Sequence, residues 1–310
     1  MLAVRSLGLP GSRDKLPRAG CLPVVSRRRV LTMSRVLWCL LAVSLGLGWC
    51  GRASAQGLIW SIPEEEGRWV RYEGTYSQVM KRPDDPAGDL KLSWSRHLTI
   101  KALNTEEGEI DGLTVPCRWL EIKMITGPVK EGIIDAGPGG IRLYKILVPV
   151  EAISKVKITD DNQVLDADKV LATYVKIAKG YRKIGNESAA PIETGVFQVY
   201  PALTIVEHYR ELKELGREDV NVREGTVSAN HLQGEMVTED EFTRSTNTAD
   251  IWKSEDAAAP FGVAKWQVSL LVERKDSTES RDAFQPLSEV LEEMNTAEVG
   301  ESAESELVLD

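Results

Sequence analysis

Residues 90–102 constrain the fold more than any other stretch. Leu90, Leu92, Trp94, Leu98, Ile100 and Ala102 fall on one side of an extended chain, interrupted only by Arg96, and Lys91, Ser93, Ser95, His97, Thr99 and Lys101 fall on the other. Alternation with period two marks a strand with one face buried and the other solvated. Residues 262–274 repeat the pattern: Ala264, Trp266, Val268, Leu270 and Val272 alternate with Lys265, Gln267, Ser269 and Glu273. Weaker versions at 68–76, 115–125, 141–148, 195–205, 220–222, 225–236 and 242–252 complete the set. Asp111-Gly112 is a hairpin-turn dipeptide between two of the early strands. Phe261, held between Pro260 and Gly262, is expected to plug one end of the sheet.

One segment reads differently. Over 168–184, Leu171, Tyr174, Val175, Ala178 and Tyr181 recur at three and four, with lysines and arginines elsewhere. Asp166 or Asp168 can cap its start, and Gly185 stands where a C-terminal glycine belongs. Shorter helical spacings fall at 208–216 and 287–294. The expected fold is therefore α+β, mainly β: a curved antiparallel sheet, or half-barrel, wrapped over one amphipathic helix. Two flat sheets are the alternative, but they leave the helix without a seat.

Residues 1–55 read as an export segment that is removed. The apolar run 36–49 is shorter than the roughly 20 residues of a spanning helix, and Ala53-Ser54-Ala55 follows it as a cleavage site. Two starts and two routes stay open. Met33 gives a compact general-secretion signal; Ser26-Arg27-Arg28-Arg29-Val30-Leu31-Thr32 resembles a twin-arginine motif. Lipidation at Cys50 is a third option, disfavoured by the bulky Trp49 before it. On each route the mature chain leaves the cytoplasm and is periplasmic or secreted. Cleavage after Ala55 leaves Cys117 as the single cysteine, so the domain at 56–276 must stand on its hydrophobic core.

The leader holds nine Lys or Arg and one acidic residue, so its loss moves the formal net charge from −9 to −17. Residues 277–310 hold ten acids and one Arg and read as an acidic, disordered tail. A surface so acidic argues against nucleic acid as a partner. The mature chain has no apolar run long enough for a transmembrane helix.

Catalytic and metal signatures are missing from the sequence. His97, His208 and His231 show no ligand spacing, and no cofactor motif stands out. No G-x-S-x-G elbow exists, and Cys117 beside Trp119 reads as a small buried hydrophobe. Gly137-Pro138-Gly139-Gly140 lacks the lysine and the helix of a phosphate loop and reads as a plain loop. Acidic pairs such as Asp160-Asp161 lie in turn-like runs that solvation explains. Trp60, Trp69, Trp94, Trp119, Trp252 and Trp266 sit mostly in strands. They either fill a curved sheet or line an apolar hollow.

Trp252-Lys253-Ser254 and Pro260-Phe-Gly-Val-Ala-Lys265, with the early strands 69–76 and 90–102, resemble the lipoprotein-carrier-like (LolA/LolB-like) secreted bacterial half-barrel proteins. The resemblance runs over 65–275 in order of elements. It implies a hydrophobic hollow and an arginine inside it that meets the cargo, a part that falls to Arg96. The ligand-binding residues it suggests are Trp94, Arg96, Leu98, Ile122, Tyr174 and Trp266. The leading expectation is a non-enzymatic extracytoplasmic protein that holds a lipid or a lipid-modified polypeptide. The runner-up is a structural or assembly partner of another envelope protein with no small ligand, and a hydrolase comes third.

Overall fold

The computed structural model describes residues 58–137, 139–150, 158–160, 163–165, 174–207, 209, 211–223 and 225–308, all within the unit Arg52–Asp310. For 158–160, 163–165 and 174 only the backbone is described. The described chain is a succession of strands: β1 (Trp69–Met80), β2 (Leu90–Ile110), β3 (Leu113–Gly127), β4 (Val129–Lys130), β5 (Ile133–Ile134), β6 (Ile141–Pro149), β7 (Ile158–Asp160), β8 (Gln163–Leu165) and β9 (Tyr174–Lys176). Then follow β10 (Lys179–Ile184), β11 (Ala190–Pro191), β12 (Val196–Gln198), β13 (Leu212–Val222), β14 (Gly225–Glu239), β15 (Thr243–Lys253), β16 (Val263–Arg274) and β17 (Gln285–Gly300).

Eleven of these form one antiparallel sheet in the order β11-β10-β6-β3-β2-β1-β17-β16-β15-β14-β13. The sheet is curved and unclosed. Two meanders run outward from its middle, where the first long strand pairs with the last. The turn between β2 and β3 is Asp111-Gly112, with φ of 52° and 79°, the positive pair that a two-residue hairpin requires.

Register fixes which residues share a face. Tyr72 stands opposite Leu98, Leu98 opposite Met124, Ile122 opposite Tyr144, and Trp266 opposite both Ile251 and Met294. This inner face carries the main core, in which Val70, Tyr72, Leu98, Ile100, Ile122, Ile146, Ile251, Trp266 and Met294 are all fully buried. Phe261 joins the same core at one end of the sheet, and its carbonyl accepts from the N–H of Trp60 at 2.9 Å.

The expected helix at 168–184 is not seen in the described part of the segment, which is strand but for residues 177 and 178: β9 pairs with β12, and β10 pairs with β6. Residues 166–173 lie outside the described residues. The helical period gathers Tyr174, Val175, Ala178 and Tyr181 on one side, but the strands divide them: Val175 joins the inner core, and Ala178 and Tyr181 pack with Trp119 and Leu147. Val175 and Ile177 alternate inward around Lys176. Gly180 sits in the middle, where a helix loses about 1 kcal/mol relative to alanine. The free edge of β6 supplies hydrogen bonds from Lys179 to Ile184 instead.

What fills the inner face is an irregular strap. The chain from β9 and β12 onward buries Val175, Phe197, Val199, Leu203, Val206 and Tyr209 against the sheet. The expected strand at 195–205 is thus only β12, followed by strap. The strap crosses from β6, where the Phe197 ring meets Tyr144 edge-on at 5.1 Å, to β15, where the Tyr209 hydroxyl donates to the Asn247 side-chain oxygen. Asn247 returns a bond from its amide to the carbonyl of Ile205 at 2.9 Å.

Two further expectations change. Residues 212–216 belong to strand β13 and not to a short helix. The acidic tail is not disordered as expected: residues 285–300 form β17, paired along both edges with β1 and β16. Its acids tolerate this because several point to the outer face and meet cations there, Glu293 with Lys265 at 2.9 Å and Glu298 with Arg71 at 2.8 Å. Beyond β17, residues 301–308 run across the outer face. The buried carboxylate of Glu121 accepts from the N–H of Glu306 and Leu307, the Ser305 hydroxyl and Lys101, all within 3.0 Å.

Candidate ligand-binding face

The inner face has two parts, and the boundary between them is a buried charge cluster. Arg96, the lone cation in the apolar row of β2, forms an ion pair with Glu292 of β17, whose side chain is fully buried. Glu292 also accepts from the Thr204 hydroxyl of the strap and from the Trp266 indole N–H at 2.7 Å. Arg96 donates its Nε to Thr126 at 3.1 Å and lies over the Tyr76 ring, 4.6 Å from its centre. A buried charge is tolerated when its bonding capacity is met in this way.

On the strap side of this cluster the face is sealed. Leu98, Ile122 and Trp266 lie in the closed core, and the Trp266 ring meets Tyr72 edge-on at 4.8 Å. On the other side Tyr76, Leu90, Leu92, Trp94, Leu270 and Val272 continue the inner rows of β1, β2 and β16 and stay half-buried. In the β1 row Gln78 follows, opposite Leu92, and then Met80, which is 39% exposed. Trp94 tilts against Tyr76, ring centres 5.6 Å apart.

A cleft of about 280 Å³ opens at the boundary. Tyr76, Arg96 and Thr126 form its floor, Pro201 to Ile205 of the strap one wall, and Gly139, Gly140 and Arg142 the other. Gly140 is required there, since a Cβ would come within 1.9 Å of the Ala136 carbonyl oxygen.

The structure therefore brings Arg96, Leu98, Ile122 and Trp266 to one face and places Trp94 at its open end. Tyr174 lies in β9, paired with Gln198, and its side chain is outside the described residues. Glu292, Thr204 and Arg142 escaped the sequence reading. For Glu292 a signal existed: Ser288, Val290, Met294 and Thr296 alternate around it.

Other polar groups are held in structural roles. His231, expected at the surface, is half-buried, with Nδ1 2.9 Å from Glu218, Nε2 2.8 Å from Asp250, and its ring stacked on Trp252. Cys117 is buried beside Trp119 and Leu147, and burial pushes its thiol pKa up, away from the reactive thiolate. Among the described residues no group of three or more His, Cys, Asp and Glu could hold a metal ion. Among them, too, no helix is long and apolar enough to cross a membrane. No family model matches the chain, and no curated protein matches it.

Proposed function

We propose that the protein is a non-enzymatic extracytoplasmic binding protein that holds a hydrophobic ligand, a lipid or a lipid-modified polypeptide, on the inner face of its sheet. One observation carries this reading. Past the strap, where a solvated strand face would ordinarily turn polar, the inner rows of β1 and β2 carry Tyr76, Trp94, Leu92, Leu90 and Met80, broken only by Gln78 opposite Leu92. The sealed half, with Leu98, Ile122 and Trp266, is core, so the ligand surface is the open half beginning at Trp94. Export to the periplasm or beyond belongs to the same reading and rests on the leader sequence.

The test is extraction of the full chain, purified from its own host, followed by lipid mass spectrometry, and displacement of a lipophilic dye in solution. Co-purifying lipid is expected, together with at least tenfold weaker dye binding in a Leu92→Ser/Trp94→Ser variant. A second reading, a structural partner of another envelope protein, draws support from the strap, which fills the centre of the face with the chain's own side chains. Absence of lipid and dye binding, with recovery of a cross-linked protein partner, would establish the second reading against the first.

A further inference from the structure

The charge inventory of the boundary cleft is unbalanced. Arg96 is neutralised by Glu292 directly beneath it. Arg142 is not. It belongs to β6, opposite Met124 of β3 and Ile184 of β10, which places it on the inner face and on the cleft wall. Among the described residues no carboxylate pairs with it and no side chain or carbonyl accepts from it, and none of the residues lining the cleft is acidic. Its nitrogens are open to solvent, so in the free protein water alone meets its five donors and they stay available to an anion.

The apolar surroundings narrow what completes it. Met124, Leu203 and Ile205 line the same cleft, and Tyr76 joins it to Trp94 and the apolar row of β2, Leu92 and Leu90, with Gln78 beside them on β1. We infer that the cleft receives the anionic head of a single-chain amphiphile, a carboxylate or phosphate ester on Arg142, with the alkyl tail running over Tyr76 and Trp94 along the inner rows of β1 and β2. This deepens the reading under "Proposed function" and rests on it. The cation that meets the ligand is then Arg142, and Arg96 is a structural ion-pair partner that props the Tyr76 ring against the tail. A free small anion is a poor occupant by comparison. It would leave the apolar rows uncovered and would gain only a single exposed charge contact, of the order of 1 kcal/mol or less.

The experiment compares dodecanoate, dodecanol and acetate as competitors of a bound lipophilic dye, each below its aggregation threshold, at pH 8 and low salt, on the full chain. Wild type is expected to bind dodecanoate about fivefold more tightly than dodecanol, the measure of one exposed charge contact, with acetate inert. In Arg142→Gln the two amphiphiles should bind alike, with dodecanol unchanged. Among the described residues Arg142 gives up no bond, so thermal unfolding of the variant should match wild type. Equal binding of dodecanoate and dodecanol by wild type, or a preference that survives Arg142→Gln, would overturn the inference and leave the apolar-ligand reading standing. Displacement by acetate as efficient as by dodecanoate would overturn it too. Failure of both amphiphiles to compete would defeat the apolar-ligand reading itself.

Discussion

The guanidinium of Arg96 and the carboxylate of Glu292 meet across the one strand that separates theirs. Arg96 stands opposite Gly74 on one edge of β1, and Glu292 stands opposite Tyr76 on the other. The pair sits almost dry, at 11% and 0% side-chain exposure. Removing one partner strands the other charge, which costs about 3–5 kcal/mol for a buried pair. Arg96→Leu should lower the unfolding free energy measured in urea by that amount, and Arg96→Leu/Glu292→Met should recover most of it. A double variant no more stable than the single would show that the pair is not the coupled unit described here.

Gly74 makes the crossing possible. A Cβ there would stand 1.8 Å from the Glu293 carbonyl oxygen and 2.8 Å from the Met294 sulfur. Backbone cannot retreat without opening the β1–β17 ladder. Gly74→Ala is therefore expected to destabilise by about 3 kcal/mol, the upper end for overpacking. Gly195→Ala, with nothing within 4 Å, is the control and should stay within about 0.5 kcal/mol of wild type. Equal midpoints for the two variants would contradict the close approach.

The strap is core, and its removal should be felt by the whole sheet. Phe197→Ala takes away a buried ring packed on Tyr144, a loss of about 3–5 kcal/mol. Tyr209→Phe leaves the buried Asn247 oxygen without its donor, at about 1–3 kcal/mol. Both should shift a single cooperative transition. An early partial transition, with the sheet melting later at its wild-type temperature, would mean that the strap is an independent cover.

These contacts also mark what the sequence could and could not disclose. Alternation around Leu90 to Ala102 and Val263 to Arg274 was enough to locate long antiparallel strands, and it singled out Arg96 as a charge on an apolar row. The same logic applied to β17 exposes Glu292 between Val290 and Met294. There, however, the density of acids on the outer positions masked the alternation and suggested a solvated tail. The neutralising Lys265 and Arg71 lie on strands remote in sequence, so nothing local announces them. The strap was illegible for a different reason. From Val199 to Tyr209 it has neither period, and its bonds to Glu292 and Asn247 are long-range. Over Tyr174 to Ile184 the apolar spacing fits a helix, and the edges offered by β12 and β6, strands that no local signal ties to it, take the segment up as strand instead.

The Glu121 carboxylate should make the outer-face segment sensitive to acid. Burial pushes its pKa up, but the N–H groups of Glu306 and Leu307, the Ser305 hydroxyl and Lys101 outweigh that and hold it below the ordinary 4.5. A depressed carboxylate pKa contributes stability that is complete above the unfolded value and is lost as pH falls through the folded one. At pH 7, Glu121→Gln should cost about 2 kcal/mol, in keeping with hydrogen bonds to a charged acceptor. The difference from wild type in urea unfolding should narrow as pH drops below 4.5. A gap that is constant from pH 7 to pH 3 would rule out this carboxylate as the acid-sensitive group.

The pairing of β1 with β17 joins Trp69 to Gly300, residues more than two hundred positions apart. During synthesis each meander can zip through its own hairpins as it emerges. The seam between them must wait until β17 has left the ribosome. Until then β1 and β16 each present an open edge able to recruit a neighbouring chain. For a growing polypeptide of this design, termination between the end of β16 and residue 285 yields two unsewn half-sheets and not a shortened version of the fold.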